Sequence, residues 1–189
     1  MRALACNGNN MSYTIEDHKH RFAAWAASRA ASTKTCRFNV LQGKEIIESV
    51  GLNRVLSDPS HLPTPTEIDA KHREWREAAI SVANTKDLIG FSHGVAAKLI
   101  NIYLKSAFVC AGYENHTHVS GLHPPIDSLL LEELYKSNVG DLKKAWGVAK
   151  KAKWSKFSSE QYEEVIANIR KALNGRSMWE IESCWRGHQ

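Results

Sequence analysis

The sequence predicts an all-α protein, and three observations support this fold class. Apolar residues recur at helical spacing, most clearly in residues 95–109. No stretch alternates polar and apolar residues with the period of two that is typical of a half-buried strand. Helix-start signals separate the periodic segments: Thr64 suits an N-cap, Pro65 the first helical position, and Glu67 completes a capping box.

The elements follow in order along the chain. Residues 1–12 lack an apolar period and predict a loose arm, and residues 13–189 predict one all-α domain, since about 150 residues suffice for a domain. Thr14 with Asp17 caps the first helix, and Gly51 interrupts the second. The predicted helices span residues 14–31, 42–56, 64–84, 94–112, 124–134, 140–156 and 158–175, with a short helix after them.

Composition and charge narrow the class of protein. The longest unbroken apolar run, 22–27, has six residues, so we expect no membrane segment. Residues 1–6 are too few to form the apolar core of a secretory signal, so we do not expect export. Four dispersed cysteines without a CxxC pair favour a reducing, cytoplasmic setting. The net charge of +5 allows a polyanion partner.

The helix predicted at 95–109 has a polar stripe that is unusually narrow. At 100° per residue its polar side chains, Lys98, Asn101 and Lys105, fall within an arc of about 60° and include no acid. A helix that is apolar on nearly all sides is buried, and a buried lysine is costly unless it is paired or reaches water. The stripe is therefore expected to face a wet cleft or a counter-charge. Lys98 is either a nucleophile of lowered pKa or a structural ion-pair partner.

A carboxylate in the next predicted helix complements this lysine. Asp127 follows two prolines that stiffen the entry to a helix, which places it in the first turn, near the backbone N–H groups. If the two helices pack together, Lys98 and Asp127 face one another across a cleft. An amine and a carboxylate in this arrangement suit nucleophilic chemistry at a sugar carbon, with the carboxylate stabilising the positive charge that develops.

These residues resemble the helix-hairpin-helix DNA glycosylases within about residues 77–135. Gly94-Val95-Ala96-Ala97-Lys98 is similar to that family's hairpin, Gly-hydrophobic-Gly-x-Lys, and Pro125-Ile126-Asp127 to its Pro-Val-Asp. The resemblance implies that Lys98 is the catalytic nucleophile of a bifunctional glycosylase and AP lyase, and that Asp127 is catalytic. It implies an 8-oxoguanine-type activity on double-stranded DNA, with an oxidised purine as the substrate and no cofactor.

Further residues are candidates for contact with DNA. Gly94 and Ala96 occupy the hairpin, although Ala96 replaces the second glycine, and Lys105 lies two turns beyond Lys98. The lysine-rich run 143–156 contains no acid and is interleaved with tryptophans, which predicts either a DNA flank or a solvated face with inward tryptophans. The lysines of that run assigned to DNA are Lys150, Lys151 and Lys153.

The first helix offers two candidate base-stacking residues, Phe22 and Trp25, for which core packing is the favoured alternative. No metal site is expected, since His116 and His118 lack a second ligand pair. Two other functions stay open: a non-catalytic DNA-binding helical protein, favoured by Ala96, and a helical interaction protein without a nucleic-acid role. The oligomeric state does not follow from the sequence.

Overall fold

A computed structural model describes residues 12–187, and all the regular structure in this part of the chain is helical, which confirms the predicted fold class. The predicted arm lies almost entirely outside the described residues. The α-helices are α1 (Ile15–Ala31), α2 (Val40–Val50), α3 (Ile68–Asn84), α4 (His93–Leu104), α5 (Thr117–Ser120), α6 (Ser128–Lys136), α7 (Lys143–Ala152) and α8 (Ser159–Leu173). A π-helix, Lys105–Tyr113, continues α4, and short 3-10 turns include Leu52–Val55, Trp154–Lys156 and Met178–Cys184.

Local capping explains most of the helix boundaries. The Thr14–Asp17 capping box is present, and a second box at Ser158 begins α8. Gly51 ends α2 with a left-handed φ of 85°, a conformation that glycine adopts without steric cost. The predicted start of α3 was three residues early: Thr64 bonds Glu67 as expected, but the regular helix begins at Ile68.

Helix α4 lies between two hydrophobic cores. One core is built mainly from α1, α2 and α3, and it takes up Val95, Leu99 and Tyr103 from α4. The other is built from α6, α7, α8 and the C-terminal turn, and it takes up Ala97. The narrow polar stripe of α4 therefore runs along the junction of the two cores, which we call the core boundary.

The stretch that contains α4 is long and apolar. By length and mean hydropathy, His93–Tyr113 could cross a membrane, contrary to the expectation from unbroken apolar runs. However, 67% of the most apolar 18 residues of this stretch are buried inside the protein, as is typical of a core helix that is apolar on nearly all sides. The apolarity of this stretch is therefore accounted for by its place between the cores.

Candidate active site

Each side chain of the polar stripe meets a polar partner at the core boundary. Lys98 contacts Asp127, and Asn101 donates a hydrogen bond to the carbonyl of Pro124. Lys105 pairs with Glu182 of the C-terminal turn. The two lysines of the stripe thus face counter-charges as expected, and the three contacts join α4 and the π-helix after it to segments beside the second core.

Lys98 and Asp127 lie on adjacent helices as expected, but they are in direct contact and do not face one another across an open cleft. The Nζ of Lys98 lies 3.2 Å from Oδ2 of Asp127, and the two side chains are only 10% and 17% exposed. Asp127 is the N-cap of α6, where its Oδ1 accepts the backbone N–H of Leu130 at 2.9 Å. One carboxylate oxygen is therefore fixed by the helix, which leaves the other directed at the amine.

Two tryptophans complete the surroundings of this pair. The Nζ of Lys98 lies 4.5 Å from the centre of the Trp154 ring, at cation–π distance. The indole N–H of Trp185 donates to Oδ2 of Asp127 at 3.1 Å, so this oxygen receives two donors. A cavity of about 380 Å³ adjoins Trp154 and is lined also by Ser128, Leu131, Glu132, Lys150, Lys153 and Ser155.

Burial changes the protonation of the charged groups at the core boundary. Burial lowers the pKa of the Lys98 amine, and the nearby Asp127 carboxylate only partly opposes this effect. Burial also raises the pKa of Glu182, although Lys105 opposes that shift. Only a neutral amine has a free electron pair, so the lowered pKa brings Lys98 closer to the form that acts as a nucleophile.

Asn101 belongs to a buried hydrogen-bond network. Asn101 accepts from Nε2 of His72 at 2.7 Å and donates to the hydroxyl of Tyr162 at 3.0 Å. With that hydroxyl acting as donor, Tyr162 bonds Nδ1 of His123 at 3.0 Å, and Nε2 of His123 bonds Asp69 at 2.8 Å. The bonds thus run from a surface carboxylate to the segment that carries Asp127.

Burial favours the neutral form of both histidines of this network. His72 is 1% exposed and His123 is 6% exposed, and burial lowers the pKa of each imidazole. The Nδ1 of His72 has no hydrogen-bond partner among the described residues. The pKa of Asp69 is held well below its usual range: burial would raise it, but the hydrogen bonds from His123 and Arg170 outweigh that effect.

The hairpin positions have a packing role. A Cβ on Gly94 would lie 1.7 Å from the carbonyl oxygen of Trp154, so only glycine allows this approach of α4 to the Trp154–Lys156 turn. Ala96 is fully buried, and its N–H bonds the carbonyl of Ser92 inside the helix at 2.9 Å. Both residues are buried in this structure, and contact of these two positions with DNA stays a prediction.

The lysines assigned to DNA fall into two groups. Lys105 is paired with Glu182, and Lys150 bonds Glu132 at 2.6 Å, so their charges are already neutralised within the protein. Lys151 and Lys153 are exposed, and the ion pairs of the described residues do not include them. The run 143–156 was expected to be either a DNA flank or a solvated face whose tryptophans point inward. Trp146 is fully buried, as the second interpretation requires, whereas Trp154 lies at the candidate site.

Phe22 and Trp25 lie on the outer face of α1. They are 58% and 51% exposed, with ring centres 5.9 Å apart, so the expectation that they pack in the core is wrong. Helical geometry turns them away from the alanines that α1 buries against α4. The described contacts place neither ring against Lys98, Asp127 or the adjoining cavity, which instead borders Trp154.

Two groups at the site were missed in the sequence, namely Trp185 and Glu182. Glu182 lies in the Met178–Cys184 turn and Trp185 directly follows that turn. Both are more than fifty residues beyond Asp127, and no local spacing connects them to it. The described residues contain no group of three His, Cys, Asp or Glu side chains that could hold a metal ion. Comparison of the chain with family models, with curated proteins and with solved structures found no match.

Proposed function

We propose that this protein is a DNA repair glycosylase with AP-lyase activity, in which Lys98 is the nucleophile and Asp127 its catalytic partner. The observation that carries the proposal is the contact between a buried lysine amine and a helix-capping carboxylate, 3.2 Å apart, beside a cavity that Trp154 lines. The resemblance of both sequence segments to helix-hairpin-helix glycosylases supports the same chemistry. An oxidised purine in double-stranded DNA is the proposed substrate, and the cytoplasm the proposed location.

The proposed reaction begins with extrusion of the damaged nucleotide from the duplex. The neutral Lys98 amine forms a bond to C1′ of the sugar, while the glycosidic bond breaks and its electron pair leaves on the base, which takes up a proton. Loss of the amine proton and opening of the sugar ring give an imine, from which elimination nicks the strand. Asp127, fixed by Leu130 and Trp185, stabilises the positive charge on the sugar.

One observation favours a second candidate, a helical interaction protein in which Lys98 is a structural ion-pair partner and not a nucleophile. The Lys98 amine is covered by the Trp154 ring and already paired with Asp127, which is also how a structural ion pair at the edge of a core is built. For catalysis, the extruded sugar has to displace Trp154 from the amine. The two candidates therefore differ in whether Lys98 can be reached by a substrate.

Borohydride trapping tests the proposal, because reduction of the imine links enzyme and DNA covalently. We expect adducts with duplexes that carry an oxidised purine or an abasic site, and none with Lys98→Gln, because an amide cannot form the imine. Lys105→Gln is the matched control on the same face of the helix. Adducts that persist in Lys98→Gln, or wild-type protein that binds DNA without forming any, would refute Lys98 as the nucleophile.

A further inference from the structure

We propose that a basic groove between α1 and α2 is a second contact surface for the phosphate backbone of duplex DNA. This inference rests on the proposed function in taking DNA as the ligand, but it concerns a part of the molecule that contains none of the candidate catalytic residues. The groove encloses about 910 Å³ at the end of α1, along the loop that follows, and over the start of α2.

The walls of this groove carry positive charge and no negative charge. Its cations are Arg29, Lys34 and Arg37, and the other lining residues are polar or apolar, without an Asp or Glu. All three cations are exposed, and none belongs to an ion pair within residues 12–187. Like charges gathered in a concave surface repel one another, and an anion bound between them relieves that repulsion.

Several cations elsewhere on the surface have an acidic partner. Lys71 pairs with Glu74 at 2.7 Å and Arg176 with Glu180 at 3.3 Å, and Lys136 pairs with two glutamates of α6. Lys151 and Lys153, beside the candidate site, have no such partner among the described residues. The groove gathers three unpaired cations in one concave surface without an acid, which makes it suited to an external anion.

The groove and the candidate active site both contact the turn between α3 and α4. Gly90, in this turn, packs against the loop of the groove: a Cβ on it would lie 3.0 Å from the carbonyl oxygen of Thr35. At the other side of the same turn, Ser92 donates a hydrogen bond to the carbonyl of Ser155 at 2.9 Å. Ser155 follows Trp154, whose ring contacts the Lys98 amine, so one turn links the groove loop to the segment that borders the site.

This arrangement favours a nucleic-acid backbone over an acidic protein as the ligand. A duplex whose damaged nucleotide enters the site extends to either side of it, and its phosphates carry negative charge at regular intervals. Unpaired cations occur both in the groove and at Lys151 and Lys153. On this proposal one duplex contacts both sets, whereas an acidic peptide would require only one of them.

The test measures how strongly the affinity for duplex DNA depends on salt. The variant is the triple substitution Arg29→Gln, Lys34→Gln and Arg37→Gln, and fluorescence anisotropy follows its binding to an undamaged, end-labelled duplex. Each lost phosphate contact reduces the slope of log affinity against log salt by about 0.9, so the slope should fall by roughly two to three units. The charge-matched control is Lys71→Gln, Lys136→Gln and Arg176→Gln, which removes three positive charges that are already paired.

The outcomes separate this proposal from the proposed function. A slope that falls in the groove variant but not in the control supports the groove, even if wild-type protein forms no trapped adduct. An unchanged slope, or an equal fall in both variants, overturns it, even if Lys98 forms adducts normally. Polyglutamate binding that is lost in the groove variant while DNA binding is kept would assign the groove to an acidic protein and also overturn the proposal.

Discussion

Lowering the pH from 7 to 5 should destabilise the fold through the buried histidines. Burial lowers the pKa of His72 and His123 in the folded protein, whereas an unfolded histidine titrates near 6.5. As the pH falls below that value, the unfolded chain binds protons that the folded protein does not bind, so the free energy of unfolding decreases. Each histidine that stays neutral when folded then costs about 2 kcal/mol between pH 7 and pH 5.

Other groups titrate outside this window or in the opposite direction. The pKa of Glu163 is lowered to about 2, chiefly by the hydrogen bond from Arg73, and the pKa of Asp69 is lowered too, so their stabilisation is lost only as the pH falls below about 4. Glu182 has a raised pKa and gains a proton in the folded state first, which opposes the histidines. A comparison of variants is therefore sharper than the wild-type curve alone.

The decisive comparison is between wild type and His72→Gln, which keeps an amide donor for Asn101 and removes the titrating imidazole. Urea denaturation at pH 7 and at pH 5 gives the free energy of unfolding for each protein. We expect the loss on acidification to be smaller by about 2 kcal/mol in the variant, since one buried neutral histidine has been removed. An identical loss in both proteins would show that His72 titrates normally and would refute this reasoning.

Three further substitutions test the packing and charge of the site. Gly94→Ala should lower the free energy of unfolding by about 1–3 kcal/mol or more in urea denaturation, because the alanine methyl group would overlap the backbone of Trp154. Lys151→Gln should flatten the salt dependence of duplex binding by up to about one unit, while single-turnover trapping at saturating enzyme stays unchanged. Trp185→Phe should lower the free energy of unfolding by about 1.5–3 kcal/mol, because Asp127 loses a hydrogen bond from the indole.

The parts of the site that the sequence could predict depend on local periodicity. The stripe of Lys98, Asn101 and Lys105 follows from the 3.6-residue repeat, and the position of Asp127 follows from the prolines before it. Helix starts were predicted where capping side chains stand three residues apart, as at Thr14. At α3 the capping residues formed an isolated turn before the helix, so only the boundary was wrong.

The parts that escaped prediction depend on contacts between distant segments. Trp185 reaches Asp127 across 58 positions, and Lys105 meets Glu182 across 77, so no local spacing could reveal either contact. His72 carried a weak signal: it shares the buried face of α3 with Trp75 and Ala79, at helical spacing. A polar residue on such a face indicates a buried partner, but its identity is set by how the helices pack.

The position of α4 between two cores explains why the candidate chemistry lies on this helix. A helix packed against one core leaves its polar side chains in water, where a lysine keeps its ordinary pKa and a carboxylate is screened. Here both flanks of α4 are buried, so Lys98 can be neither solvated freely nor placed among apolar groups without a partner. Asp127 meets this requirement because the cap of α6 holds it at the same boundary. The arrangement that stabilises the contact of the two cores is thus the same arrangement that lowers the pKa of the amine.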